Sequence, residues 1–112
     1  MVDIREYHDR SGRSLFREWY DRQSAEAARK VTTAIYRMGL GNLSNTKSVG
    51  AGVYEYKINF GPGYRVYFWR EGEQLVILLG GGTKQRQQND IKVALERWAD
   101  YKIRKQQEKK KG

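Results

Sequence analysis

Between Val53 and Leu79 the chain alternates at period two in successive runs, each closed by a turn signal, and this restricts the fold more than any other feature. Tyr54, Tyr56, Ile58 and Phe60 fall on one face of a strand, and Val53, Glu55, Lys57 and Asn59 fall on the other. Gly61-Pro62-Gly63 is a turn, and Tyr64 to Trp69 is a second strand rich in aromatic and β-branched residues. Glu71-Gly72 suits a two-residue hairpin loop. The run Leu75-Val76-Ile77-Leu78-Leu79 is apolar on both faces, as a central strand is, and Gly80-Gly81-Gly82-Thr83-Lys84 ends it. A chain with this centre must build an antiparallel meander.

The flanks supply the layers that cover it. Val2 to Tyr7 alternates and reads as a first strand, broken by Ser11-Gly12-Arg13. Leu15, Phe16, Trp19 and Tyr20 recur with the spacing of a short amphipathic helix. Ser24 can cap a second helix, with Glu26 in its first turn and a stripe of Ala28, Val31, Ile35 and Met38. Gly39 and Gly41 stop that helix, and Asn42 to Ser48 reads as a polar connection. Asn89 or Asp90 can cap a last helix whose inward stripe is Ile91, Leu95 and Trp98. The order β-α-α-β-β-β-α makes this an α+β protein, with two N-terminal helices and a C-terminal helix packed on a mostly antiparallel sheet.

At 112 residues the chain suits one domain, over residues 1–100, followed by a basic tail over 101–112 expected to be helical and partly disordered. The longest strongly apolar run is five residues, where a membrane-spanning helix needs about 20. No membrane partner is expected, and the N-terminal residues carry no apolar signal region, so the cytoplasm is the expected address. There is no Cys, which excludes disulfides, thiolate nucleophiles and cysteine zinc sites. The lone His8 cannot supply the His pair that serves many ribonucleases as acid and base, and it reads as a surface histidine. No cofactor and no metal site is expected: Asp3, Glu6 and Asp9 are scattered, and Asp90 reads as a helix cap.

The net charge is +9, of which the tail carries +5 and residues 1–100 carry +4. A polyanionic partner is favoured, because clustered positive charge steers nucleic acid and releases its counterions. Pairing Phe60 with Tyr64 across the first turn sets Asn59 beside Arg65, Lys57 beside Tyr67 and Glu55 beside Trp69. Pairing Arg70 with Glu73 sets Phe68 opposite Leu75 and Val66 opposite Ile77. The face opposite the apolar one then collects Lys57, Asn59, Arg65, Tyr67 and Trp69, with Lys84 leaving the third strand at the same end. Cations interleaved with aromatic rings can hold phosphates while the rings stack bases. The alternative is an ordinary solvated sheet face, with Arg and Lys stems lying over the rings. The triple glycine lacks the spacing of a phosphate-binding loop and reads instead as close backbone approach or a positive-φ turn. Trp19 and Trp98 sit on helical apolar stripes and read as core.

Two stretches carry a family resemblance. Gly50-Ala51-Gly52-Val53-Tyr54-Glu55-Tyr56-Lys57-Ile58 with Gly61-Pro62-Gly63-Tyr64-Arg65-Val66-Tyr67-Phe68, followed by Leu78-Leu79-Gly80-Gly81-Gly82-Thr83-Lys84, Gln87, Asp90-Ile91 and Ala94, resembles the HigB-type addiction-module killer proteins of the RelE/ParE toxin superfamily. The resemblance implies a RelE-like fold and the toxin of a type II toxin–antitoxin module, an mRNA interferase that cuts messenger RNA, in many members on the ribosome. It also implies a helix-turn-helix (HigA-like) antitoxin as partner. Arg65 and Lys84 match the likeliest functional cations, and position 57, commonly Arg in this pattern, is Lys. Position 83, often Asp, is Thr, which puts an acid at that site in doubt.

RNA cleavage needs a base for the 2′-hydroxyl, cations for the phosphorane charge and an acid for the leaving 5′-oxygen. Arg65 is the expected phosphate stabiliser, Lys84 and Lys57 the expected proton-transfer groups, and Glu55 an alternative base that more readily neutralises a neighbouring cation. Asn59, Tyr67, Trp69, Arg86 and Lys47 are the expected RNA-binding residues. Three functional classes stay open: a metal-independent endoribonuclease, a non-enzymatic inhibitor of gyrase or another protein, and an inactive RNA-binding module.

Overall fold

The computed structural model describes residues 1–111. Five strands, β1 (Asp3–Glu6), β2 (Thr46–Gly50), β3 (Val53–Ile58), β4 (Tyr64–Glu71) and β5 (Leu75–Thr83), form one sheet in the order β1-β5-β4-β3-β2. β2 to β5 pair antiparallel in succession, and β1 lies parallel to β5, so the sheet is mixed and the protein is α+β. Helices α1 (Leu15–Asp21) and α2 (Ala25–Gly39) precede β2, and α3 (Gln87–Lys111) follows one 3₁₀ turn at Lys84–Arg86. Residues 101–111 thus continue α3, and Gly112 lies outside the described residues. Among the described residues no helix is long and apolar enough to cross a membrane.

β2 corrects the expectation of a polar connection over Asn42 to Ser48. It is the sheet's edge, mostly exposed, so it has no apolar alternation to betray it, and the lysine it carries is a residue that discourages edge-to-edge pairing. Ser14 and Ser24 cap α1 and α2, each accepting a backbone N–H three residues on. α3 starts at Gln87, so Asp90 stands in its first turn and is not its cap.

Both sheet faces are covered. Phe16 and Trp19 of α1 and Val31, Ala34 and Met38 of α2 pack on Tyr56, Ile58, Val66, Phe68, Val76 and Leu78. On the other face, Ala94 and Trp98 of α3 pack on Val53, Tyr67, Ile77 and Leu79. The face expected to be a solvated or RNA-binding surface is therefore half core.

The registers explain the difference. In the first hairpin Ile58 pairs with Tyr64, so Lys57 faces Arg65 and Glu55 faces Tyr67. That is two residues from the expected pairing, which preserves the faces but changes the neighbours. The turn takes up more chain than three residues, with Phe60 N–H donating to Ile58 C=O and Gly63 N–H to Phe60 C=O. In the second hairpin Glu71 pairs with Leu75, Trp69 with Ile77 and Phe68 with Leu78. This differs from the expected pairing by three residues, an odd number, so β5 is turned over: Val76 and Leu78 lie with Phe68 beneath α1 and α2. Leu75 to Leu79 is apolar on both faces, so its pattern specifies no parity. Gly80, Gly81 and Gly82 do not end β5 but extend it, with none at positive φ; their role is close approach, Gly81 to the Trp19 ring and Gly82 to the Asp90 carboxylate.

One polar tie joins β1 to the start of α1. Glu6 accepts hydrogen bonds from Ser14 Oγ and, at 2.7 Å, from Arg17 Nη2. Partial burial works against the Glu6 charge, but the Arg17 and Ser14 hydrogen bonds outweigh it and hold the carboxyl below its ordinary value. The native state therefore binds this proton less readily than the unfolded chain. The stabilisation is present above the ordinary glutamate pKa and is lost as pH falls through the depressed one. With Arg17 half exposed, Glu6→Gln is expected to cost about 0.5–1 kcal/mol at neutral pH and nothing at acid pH, measured by urea unfolding at both.

Candidate functional site

The sequence-predicted cations meet at the end of the meander where β3 finishes, β4 begins and β5 leaves the sheet. The left-handed turn at Gly63 organises them. Its carbonyl accepts from the Lys84 backbone N–H at 2.9 Å and from Arg65 Nη1 at 3.2 Å. A methyl group built on Gly63 would stand 3.5 Å from Lys84 Cβ and 3.7 Å from Arg65 Nη1, so the two cationic residues flank one glycine. Lys57 lies directly across the ladder from Arg65 and so projects from the same face. Lys57, Lys84 and Arg86 are exposed, and among the described residues none has a carboxylate within 4.0 Å.

Arg65 is different in kind. It is 5% exposed, and its Nε stands 3.5 Å from Glu55 Oε1, also buried, without a hydrogen bond between them. Gln87, the first residue of α3, donates through Nε2 to both Glu55 oxygens at 3.0 Å. Glu55 is therefore a counter-charge under a helix end, with both oxygens engaged, and is poorly placed to act as a base.

Tyr67 lies on the same face one row further in and is 1% exposed, with its hydroxyl buried and unpartnered. Burial, reinforced by the charges of Glu55 and Asp90, pushes the phenol far above its ordinary value, so it stays protonated. The expectation that Tyr67 stacks a base is corrected, since α3 covers the ring. Trp69 is four residues along β4 from Arg65, about 13 Å away at the rise of an extended strand. Its ring is stacked on Trp98 at 4.2 Å between centroids, so it belongs to the packing against α3 and not to this rim. Asn59 is exposed beside Lys57, and Lys47 is exposed on β2 across from Glu55.

A second group lies where β5 runs past the end of β1. A cavity of about 370 Å³ there has Arg22 on one wall, Arg86, Asp90 and Arg97 on the other, and Gly81 and Gly82 between them. Arg97 Nη1 donates at 2.6 Å to the carbonyl of Leu79, the residue that the register shift between β4 and β5 leaves unpaired. Burial pulls the Arg97 guanidinium below its ordinary value. Burial also raises the Asp90 carboxyl, against the opposing pull of Arg86 and Arg97, and its Oδ2 has no partner. Sequence reasoning misses Gln87, since nothing about a glutamine four residues before a hydrophobic stripe marks it as a clamp on a distant glutamate.

No protein-family model matches the chain. An uncharacterized protein of Haemophilus influenzae is 41% identical over 80 residues, which cover 70% of this chain and 81% of that protein. The chain belongs to that protein's family. An alignment of that extent spans most of a one-domain fold, so relatives in this family are expected to share the sheet and its covering helices.

Proposed function

We propose that this protein has a RelE-like fold and is the toxin of a type II toxin–antitoxin module, a metal-independent endoribonuclease that cleaves messenger RNA on the ribosome and is neutralised by a helix-turn-helix antitoxin. The observation that carries the reading is the meeting of Arg65 and Lys84 at Gly63 with Lys57 across the ladder from Arg65, three cations from three strands or strand ends at one end of the sheet. A rim of that kind can bind one phosphodiester between the exposed Lys57 and Lys84, with the buried Arg65, held by Glu55 and the Gly63 carbonyl, adding a fixed charge from beneath. Lys84 and Lys57, exposed and free of carboxylate partners, supply mobile ammonium groups that can give a proton to the leaving oxygen. No base is positioned beside them among the described residues, so the 2′-hydroxyl proton would pass to water or a ribosomal group, and in-line placement of that hydroxyl falls to the bound RNA and the ribosome.

Lys84→Ala is the sharpest test, because the side chain is exposed and its removal should change stability by no more than about 0.5 kcal/mol. After brief induction in a bacterial host, RNA 5′ ends mapped for the wild type should show new cuts within codons. Lys84→Ala at equal expression should reduce them by about 100-fold. Induced DNA damage without new 5′ ends would point instead to a protein target such as gyrase. Unchanged cutting by Lys84→Ala would remove that residue from the chemistry.

A further inference from the structure

A second cationic cleft opens beside this rim. It has a volume of about 300 Å³ and lies between α2 and β3 where the pairing with β2 ends, at the hydrogen bond from Lys57 N–H to Asn45 C=O. Lys30, Thr33 and Arg37 form its helical wall, and Asn45, Lys57 and Asn59 form the other. Lys30 and Arg37 are seven residues apart, two helical turns, which puts both on one face of α2. Among the described residues neither has a carboxylate within 4.0 Å, so the helical wall carries two cations and no acidic residue lines the cleft. Concentrated uncompensated charge in a concave site selects for an anion.

We propose that this cleft binds a backbone phosphate of single-stranded RNA whose neighbouring segment lies on the Lys57–Arg65–Lys84 rim, an inference that rests on the proposed RNA substrate. Lys57 lies between the two places: it borders the cleft, while its side chain projects from the opposite face of the sheet, beside Arg65. The aromatic neighbour favours a nucleic acid over an acidic peptide. Lys30 Nζ lies 5.5 Å from the centre of the half-buried Phe60 ring, and Phe60 is stacked with Tyr64 at 6.2 Å, giving the cation-plus-ring pairing that single-stranded chains use for phosphate and base. The amides of Asn45 and Asn59 can hydrogen-bond phosphate or sugar oxygens. Lys30 and Arg37 are thereby RNA-positioning residues outside the rim that would perform the cleavage.

The test measures binding of a fluorescent single-stranded oligoribonucleotide, long enough to span both places, across a salt series. It compares wild type with the double variant Lys30→Ala/Arg37→Ala. Both side chains are exposed, and thermal unfolding verifies that the variant is folded. The variant is expected to bind about tenfold more weakly at low salt, with a slope of log affinity against log salt smaller by about 0.7 for each phosphate it no longer neutralises. Equal affinity and equal slope for wild type and variant on the long RNA would overturn the proposal while leaving the nuclease reading untouched. Absence of RNA binding by the wild type would also overturn the proposal, while the nuclease reading is decided separately by the mapped RNA 5′ ends. A polyglutamate peptide bound through Lys30 and Arg37, with RNA binding unaffected by their loss, would assign the cleft to an acidic protein partner and overturn it too.

Discussion

Arg65→Ala is expected to destabilise the fold by about 3–5 kcal/mol, the cost of leaving a buried charge without its partner. Glu55 and Arg65 side chains are each 6% exposed, and after truncation the Glu55 carboxylate would keep only the Gln87 amide. At a buried ion pair this change cannot remove a phosphate contact and spare the fold. Urea unfolding measures the loss, and a value below about 1 kcal/mol would show that the pair is effectively solvated. The double variant Glu55→Gln/Arg65→Met should recover most of the stability, because no charge is then stranded. That variant also separates the roles: if it is folded yet produces no new RNA 5′ ends, Arg65 takes part in the chemistry, and if cutting persists, Arg65 is a strut of the sheet.

Gly81→Ala is expected to cost about 3 kcal/mol, at the upper end of overpacking effects. A methyl group at this position would land on the Trp19 ring, a large rigid side chain that is 8% exposed and held between α1 and the sheet, beside Phe16 at 5.9 Å and Tyr64 at 6.4 Å. The ring must shift within its packing or α1 must lift from β5. Backbone conformation is not the obstacle, as Gly81 has no positive φ. Thermal or urea unfolding would register the loss. Combining the change with Trp19→Leu should cost less than the sum of the two single changes by more than about 1 kcal/mol, as residues in direct contact do. Additive costs would mean that α1 is displaced as a whole, and that Trp19 is not what Gly81 makes room for.

Much of this architecture is legible in the residue pattern because the signals are local. Period-two alternation marks β3 and β4, Ser24 marks the start of α2, and Trp19 and Trp98 sit where helical spacing turns them inward. The convergence of Arg65 and Lys84 is legible too, since a strand start and a strand end two ladder rows apart must lie at the same edge of a hairpin. What fails is everything whose cause lies elsewhere in the chain. β2 is an edge strand made by pairing and not by its own pattern. Tyr67, Glu55 and Arg65 alternate with apolar residues as a solvated face would, and only the arrival of α3 from the far end of the sequence buries them.

Alone, the sequence determines a small α+β chain with a glycine-bounded meander and an excess of positive charge, because periodicity, turn residues and ionisation are properties of neighbours along the chain. Tertiary structure decides which of those charges are usable. Helix α3 settles over one end of the sheet, turning Arg65 and Glu55 into a buried pair and Trp69 into packing. It leaves Lys57 and Lys84 in solvent, while α2 brings Lys30 and Arg37 alongside. Burial depends on what packs from a distance, and no local pattern encodes it.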